Sequence, residues 1–211
     1  MIVGLYGSGG CGRGLMPLAR EQFGAENCVW IDDDPTSGTI NGTPTLTFEQ
    51  FRNHDQTDKR VCVTIANSRI RANLVARCES EAIAFVTLKA ENLVVMDDVR
   101  IGEGAALSPF VTLTSNIRIG RHFHANLHSY VEHDCVIGDF VTFAPGVRCN
   151  GYVHIGDHAY LGSGAIIRNG APGAPLTIGE GAVIGMGAVV TRSVPAGETW
   201  FGNPARPIAH D

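Results

Sequence analysis

Starting at Val95 and stepping six residues at a time, the chain places an apolar residue at thirteen consecutive positions: Val95, Ile101, Leu107, Leu113, Ile119, Ala125, Val131, Ile137, Phe143, Cys149, Ile155, Leu161 and Ile167. Two residues before each step lies a mostly small or apolar set, from Val99 and Ala105 to Ala159 and Ala165. Ile-Gly pairs recur every eighteen residues, at 101, 119, 137 and 155. The register slips by five residues in the stretch 169–175 and resumes at Ile178, Ile184 and Val190. A period of six fits neither a helix nor an alternating strand. It is the pattern of a hexapeptide β-helix, in which three short flat faces close a triangular coil and stacked coils bury one apolar column. Sixteen hexads, thirteen plus three, predict about five coils stacked like sheet strands. The aliphatics point inward, small residues fill the corners, glycine after the aliphatic permits the turn, and 169–175 projects as a corner loop. A glycine-rich sandwich is the competing account, and thirteen positions in register argue against it.

The first ninety residues follow a different rhythm. Strands are predicted at Ile2–Tyr6, Cys28–Ile31, Val61–Ile65 and Ile83–Leu88, alternating with helices at Arg13–Gln22, Phe48–Asn53 and Ser68–Glu81. Such alternation implies a small parallel α/β domain. The chain therefore divides into 1–89 and 90–211. Gly7, Gly9 and Gly12 fit G-x-G-x-x-G between strand and helix, with Asp32 and Asp33 about twenty residues on. That turn lets backbone N–H groups and a helix N-terminus approach a phosphate. Taken alone it suggests an NAD-linked oxidoreductase, but ninety residues hold only half of a full dinucleotide fold. A strand-to-helix turn with no ligand is the bland alternative.

Composition narrows the classes. Sixteen Lys+Arg against twenty-one Asp+Glu give a net charge of −5, and no basic face for nucleic acid is implied. Glycine, 26 of 211 residues, is well above the usual ~7%. No apolar run approaches the roughly 18 residues of a membrane span, and no secretory leader is expected. The six cysteines include no C-x-x-C pair and read as reduced thiols of a cytoplasmic protein. His122, His124 and His128 form H-x-H-x-x-x-H and open a zinc-hydratase reading, against solvated or interface histidines. In the six-residue register His122 and His128 turn away from each other, so one chain cannot gather all three, and no metal is expected.

His133 lies two places after inward Val131 on an outward slot, and Gly151 occupies the equivalent slot one coil later. Adjacent coils put imidazole and bare backbone about 5 Å apart. That pairs a base with an N–H donor for an oxyanion, as acyl transfer requires. A carboxylate at Asp134 or Glu132 would fix the tautomer if a corner separated it from His133. Arg206, after Gly202-Asn203-Pro204, suits coenzyme phosphate or a solvated tail. Trp200 and Phe201 are expected to pack against the last coil, and Thr64 to Asn67 to touch sugar or nucleotide or simply turn the chain.

The two halves together resemble the bacterial acetyl-CoA-dependent acetyltransferases of nucleotide-linked aminosugars and the related sialic acid O-acetyltransferases. The resemblance rests on Tyr6-Gly7-Ser-Gly-Gly10, Ile31-Asp32-Asp33, Thr64-Ile65-Ala66-Asn67, the segment from Val131 to Gly138, and Gly202-Asn203-Pro204-Ala205-Arg206. It implies a Rossmann-like nucleotide-sugar domain, a left-handed β-helix that binds acetyl-CoA, and a homotrimer with the site between subunits. By the same resemblance His133 is the catalytic base, Asp134 the acid beside it, Asn126 a supporting polar group, and Gly151 the oxyanion donor. Thr142, Ser163, Met186 and Arg206 join Gly151 along the coenzyme groove. Gly9, Gly10, Cys11, Asp32, Asp33 and Asn67 meet the nucleotide sugar. Cys11 stands where the family turn often has histidine, and Thr142 where some relatives have histidine. The expected reaction is N-acetylation of a nucleotide-linked 4-amino-deoxysugar in surface-glycan biosynthesis. Sugar O-acetylation is the nearest alternative, and a non-enzymatic scaffold stands only if no coenzyme binds.

Overall fold

The computed structural model describes residues 1–34 and 38–208. The chain forms two compact units: residues 1–89 with 103–106, and residues 90–102 with the chain from 107 onward. The first contains β1 (Ile2–Tyr6), α1 (Gly10–Phe23), β2 (Cys28–Ile31), β3 (Thr39–Ile40), β4 (Thr43–Leu46), α2 (Phe48–Arg52), β5 (Lys59–Val63), α3 (Ser68–Ser80) and β6 (Ala84–Phe85). The sheet order is β3-β4-β2-β1-β5-β6, parallel throughout except for the β3–β4 hairpin. All five residues of β1 are buried, as an apolar run covered on both faces of a parallel sheet should be.

Several boundaries differ from expectation. α1 starts three residues early because the glycine turn itself supplies its first turn, with Gly9 as N-cap. The expected strand Ile83–Leu88 divides, since Ala84–Phe85 pairs with β5 while Leu88–Lys89 is a separate strand. β3 and β4 were not expected at all. Asn41 and Gly42 both take left-handed φ (49° and 75°), the requirement of a two-residue hairpin turn.

The second unit is a parallel β-helix. One face runs from Ala106–Leu107 to Thr199–Phe201, a second from Val94–Val95 to Val189–Val190, a third from Val99–Ile101 to Leu176–Ile178. Rungs pair at intervals of eighteen, as in Leu113↔Val131↔Cys149↔Ile167. Past the corner loop the interval becomes twenty-three, in Ile155↔Ile178 and Ile167↔Val190. The five extra residues are absorbed without shifting the ladder. From Leu107 to Val190 the stepped residues are buried, and so is the whole corner set from Ala105 to Ala165. Val95 is 45% exposed, because its strand is the edge of its sheet. The column continues beyond Val190: Val194 bridges to Ile178, and buried Trp200 pairs with Ile184 as a further inward rung. Phe201 is half-exposed and does not close the end.

The turns are not made by the glycines of the Ile-Gly pairs. At most inward rungs a left-handed residue lies three positions before, and at Asp98, Phe110, Asn116, His122, His128, Asp134, Phe140, Tyr152 and His158 it is not glycine. Gly102, Gly120 and Gly138 serve close approach instead. A Cβ on Gly102 would stand 2.6 Å from the Gly120 carbonyl, closer than any packed methyl tolerates.

Candidate active site

The corner between the second and third faces carries two adjacent columns. Ser115, His133 and Gly151 occupy one; Asn116, Asp134 and Tyr152 the other, all three with φ between 56° and 58°. The columns are bound rung to rung, Asp134 N–H donating to Ser115 C=O at 3.1 Å and Tyr152 N–H to His133 C=O at 3.0 Å. Successive strand residues point to opposite sides, so only this left-handed turn brings the side chain of Asp134 beside that of His133. Their Nδ1···Oδ2 distance is 2.8 Å. The pair fixes Nδ1 as the protonated nitrogen and presents Nε2 as acceptor.

Gly151 makes room for the ring. A Cβ there would sit 2.6 Å from His133 Cε1 and 2.7 Å from Nε2. Among the described residues its N–H meets no backbone acceptor. The imidazole thus lies directly over a bare peptide with a donor to spare.

Two residues that the sequence reading did not select complete the cluster. Asn116 Nδ2 donates to Asp134 Oδ1 at 3.3 Å. Tyr152 packs its ring edge-on against the His133 ring, with centroids 5.1 Å apart, and its hydroxyl stands near enough to Asp134 to lower the carboxyl pKa. The hydrogen bond with His133 first, then the one with Asn116 and the nearby Tyr152 hydroxyl, hold the Asp134 carboxyl below its ordinary range. Both residues were detectable, lying eighteen positions either side of Asp134.

The remaining predicted coil residues lie elsewhere. Asn126 accepts from the Leu127 N–H at 2.8 Å, and no hydrogen bond links it to His133 among the described residues. Ser163 and Met186 are exposed on successive coils of the corner between the first and second faces, joined by a 2.8 Å bond from Gly187 N–H to Ser163 C=O. Thr142 is buried on the first face, between His124 and Tyr160. Arg206 is exposed on a short strand antiparallel to Thr199–Phe201. One chain therefore gathers His133, Asp134 and Gly151 and leaves the other five apart. His122 and His124 are buried rather than solvated, His122 stacked on Phe140 and His128 on Phe110 at separate corners. Among the described residues no three His, Cys, Asp or Glu side chains gather to hold a metal ion.

In the first unit, Gly7 turns at φ 113°, and a Cβ on Gly12 would fall 2.1 Å from the Gly7 carbonyl oxygen. Gly9 and Gly10 face open space. α1 begins there with no side-chain cap and no acid in its first turn, which leaves N–H groups for an anion. Cys11 is part-buried, and that burial pushes its thiol pKa up. Asp32 accepts from the Ser8 hydroxyl and, at 3.2 Å, from the Asp34 N–H. Asp33 accepts from the Tyr6 hydroxyl at 2.5 Å and from Arg77 at 2.6 Å. Burial opposes ionisation of Asp33, yet these bonds hold its carboxyl low; burial and Asp33 together push the Tyr6 phenol up. Asn67 caps α3, its side-chain oxygen accepting from Arg69 and Ile70 N–H at 3.1 Å. That oxygen is committed to the helix.

A coil that sets a carboxylate-held imidazole over a free amide is a scaffold for acyl transfer. No family model matches the sequence. Across 210 residues, 97% of this chain and 95% of the relative, it is 48% identical to the GDP-perosamine N-acetyltransferase of Escherichia coli O157:H7. It is 52% identical to WeeI from Acinetobacter baumannii AYE, covering 99% of this chain and 100% of that one with a TM-score of 0.97. A mutant of perosamine N-acetyltransferase from Caulobacter crescentus, solved with CoA and GDP-perosamine, is 27% identical over 100% of this chain and 98% of that chain, with a TM-score of 0.91. The chain belongs to the acetyl-CoA-dependent sugar N-acetyltransferases of the β-helix class.

Proposed function

We propose that this chain moves the acetyl group of acetyl-CoA to the 4-amine of a nucleotide-linked 4-amino-deoxysugar, with GDP-perosamine as the acceptor suggested by its relatives. The observation that carries the mechanism is His133 over Gly151, its Nδ1 tied to Asp134. His133 Nε2 takes the amine proton as nitrogen attacks the thioester carbonyl. The Gly151 N–H donates to the oxygen as negative charge develops. The tetrahedral species collapses to the amide as the C–S bond breaks and the proton held by His133 passes to the leaving sulfur, releasing CoA thiol. A positioned base contributes roughly 10² to 10⁴ in rate and one oxyanion donor about 10² to 10³. Replacing His133 with Ala should lower kcat by those first factors while acetyl-CoA still binds in a thermal-shift titration. Unaltered turnover removes the assignment.

The first unit acts as a Rossmann-like nucleotide-sugar domain, 1–89, ahead of a left-handed coil domain, 90–211. The open space over Gly9 and Gly10 and the uncapped start of α1 support phosphate binding there. The chain works as a homotrimer. Leu127 and Met186, 42% and 69% exposed on one corner of the coil, support a self-association surface. The supporting role of Asn126 and the coenzyme roles of Thr142, Ser163 and Met186 then belong to a neighbouring copy facing His133. A cytoplasmic role in surface-polysaccharide assembly accords with this chemistry, and no described helix is long and apolar enough to cross a membrane. A panel of amino and hydroxy sugar nucleotides, read by free-thiol release, separates amine from hydroxyl acceptors.

A further inference from the structure

The column that carries His133 and Gly151 does not end there. Cys149 pairs with Ile167 and Ile167 with Val190, so the slots two residues on, Asn169 and Arg192, continue the same corner on the next two coils. Arg168 lies one residue before Asn169. The five-residue excursion leaves the corner at this point. Gly170 starts it, at a position where a Cβ would fall 2.3 Å from the Tyr152 carbonyl oxygen, and a tight turn pairs Ala171 with Ala174, their N–H and C=O groups bonded at 2.9 and 3.0 Å. Loop and coil together enclose a shallow cavity lined by Arg168, Asn169, Thr191, Arg192 and Ser193, with Gly170 and Pro175 on the loop side. Among the described residues no carboxylate lines it. Neither arginine enters an ion pair among the described residues: Arg168 reaches only the Thr191 carbonyl at 3.5 Å, and the Arg192 guanidinium lies 5.0 Å over the Trp200 ring.

We infer that this cavity is an anion subsite, in which Arg168 and Arg192 hold phosphate groups of the acetyl donor; the inference rests on the acetyltransferase reading above. Two guanidiniums with hydroxyl and amide donors between them suit phosphate oxygens. Their place on the corner decides which ligand. Arg192 stands three rungs from His133, about 14 Å at the spacing of stacked strands, and a pantetheine arm is long enough to run from a thioester at Gly151 along the corner to phosphates there. The sequence reading gave this task to Arg206, which lies outside the His133 column. The excursion at 169–175 thereby gains a purpose, as the wall of the cavity.

The test is kinetic. In Arg168→Ala with Arg192→Ala, KM for acetyl-CoA should rise by on the order of tenfold per lost charge-assisted contact, with kcat at saturation and KM for the nucleotide sugar unchanged. With S-acetyl-N-acetylcysteamine, a donor lacking phosphates, the variant and the parent enzyme should be equally fast. In the parent, KM for acetyl-CoA should climb with salt more steeply than in the variant. An unchanged KM for acetyl-CoA, or a rise in KM for the nucleotide sugar instead, overturns the subsite. If the parent enzyme acetylates nothing from either donor, the acetyltransferase reading has failed, not merely the subsite. Should Arg192→Ala lose Tm through its contact with Trp200, Arg168→Ala alone carries the same comparison.

Discussion

At Gly151 one methyl group separates a working corner from a blocked one. Its backbone is not in the left-handed region, so alanine is allowed there by conformation, but its Cβ would stand 2.6 Å from the His133 ring. Gly151→Ala should therefore lower kcat by at least about 10² through displacement of the base and obstruction of the donor. The melting temperature should barely move. Tyr152→Phe keeps the ring edge on His133 and deletes only the hydroxyl that lies near Asp134 and helps to lower its pKa. We expect kcat to fall by less than about tenfold, below the scale of a full charge-assisted hydrogen bond, with KM for acetyl-CoA unchanged in steady-state assays. His133 and Gly151 were legible in the sequence because inward rungs fix which slots face out. Tyr152 was not selected, since the inward-rung register alone does not show that a left-handed φ turns it toward Asp134.

Between elements, the strand–turn–helix at residues 6–12 separates glycines that build from glycines that stay open. Gly12→Ala drives a methyl into the Gly7 carbonyl, with Thr64 and Trp30 also within 3 Å. Such overpacking should cost on the order of 3 kcal/mol in denaturant unfolding. Gly9→Ala meets nothing within 4 Å, and its φ of −66° suits alanine. It should leave stability within about 1 kcal/mol but weaken the nucleotide sugar, measured by calorimetry. Tyr6, Asp33 and Arg77 join the ends of β1 and β2 to α3. Because folding lowers the Asp33 pKa, its contribution is complete above the ordinary carboxylate range near 4 and is lost as pH falls through the folded value. Folding raises the Tyr6 pKa, so its contribution is present below about 10 and is lost as pH rises. Tm measured against pH should decline at both ends, and Tyr6→Phe should flatten the alkaline side. The α/β alternation was readable from apolar runs, but Asn41-Gly42 was overlooked because its flanking strands are too short to show a period.

Over the whole molecule, the six-residue period identified the coil, because every sixth side chain must enter one narrow column. It could not tell which residue turns the corner. Glycine there suggests a turn, whereas the glycines of the Ile-Gly pairs answer to crowding between coils and the turns fall mostly on Asn, Asp, His, Phe and Tyr. Each coil leans only on its neighbours, so Phe143→Ala, which removes the edge-on contact with Phe123, should cost about 3 to 5 kcal/mol in equilibrium unfolding. Structure and chemistry nonetheless count the chain differently. The core repeats every hexad, while His133 meets Gly151 only after a full revolution of three. A spare hexad placed between Phe140 and Val141 would leave every aliphatic facing inward and carry Gly151 a third of a revolution away from the imidazole. The product would be a sound solenoid with nothing to catalyse, so insertions that the scaffold forgives the enzyme does not.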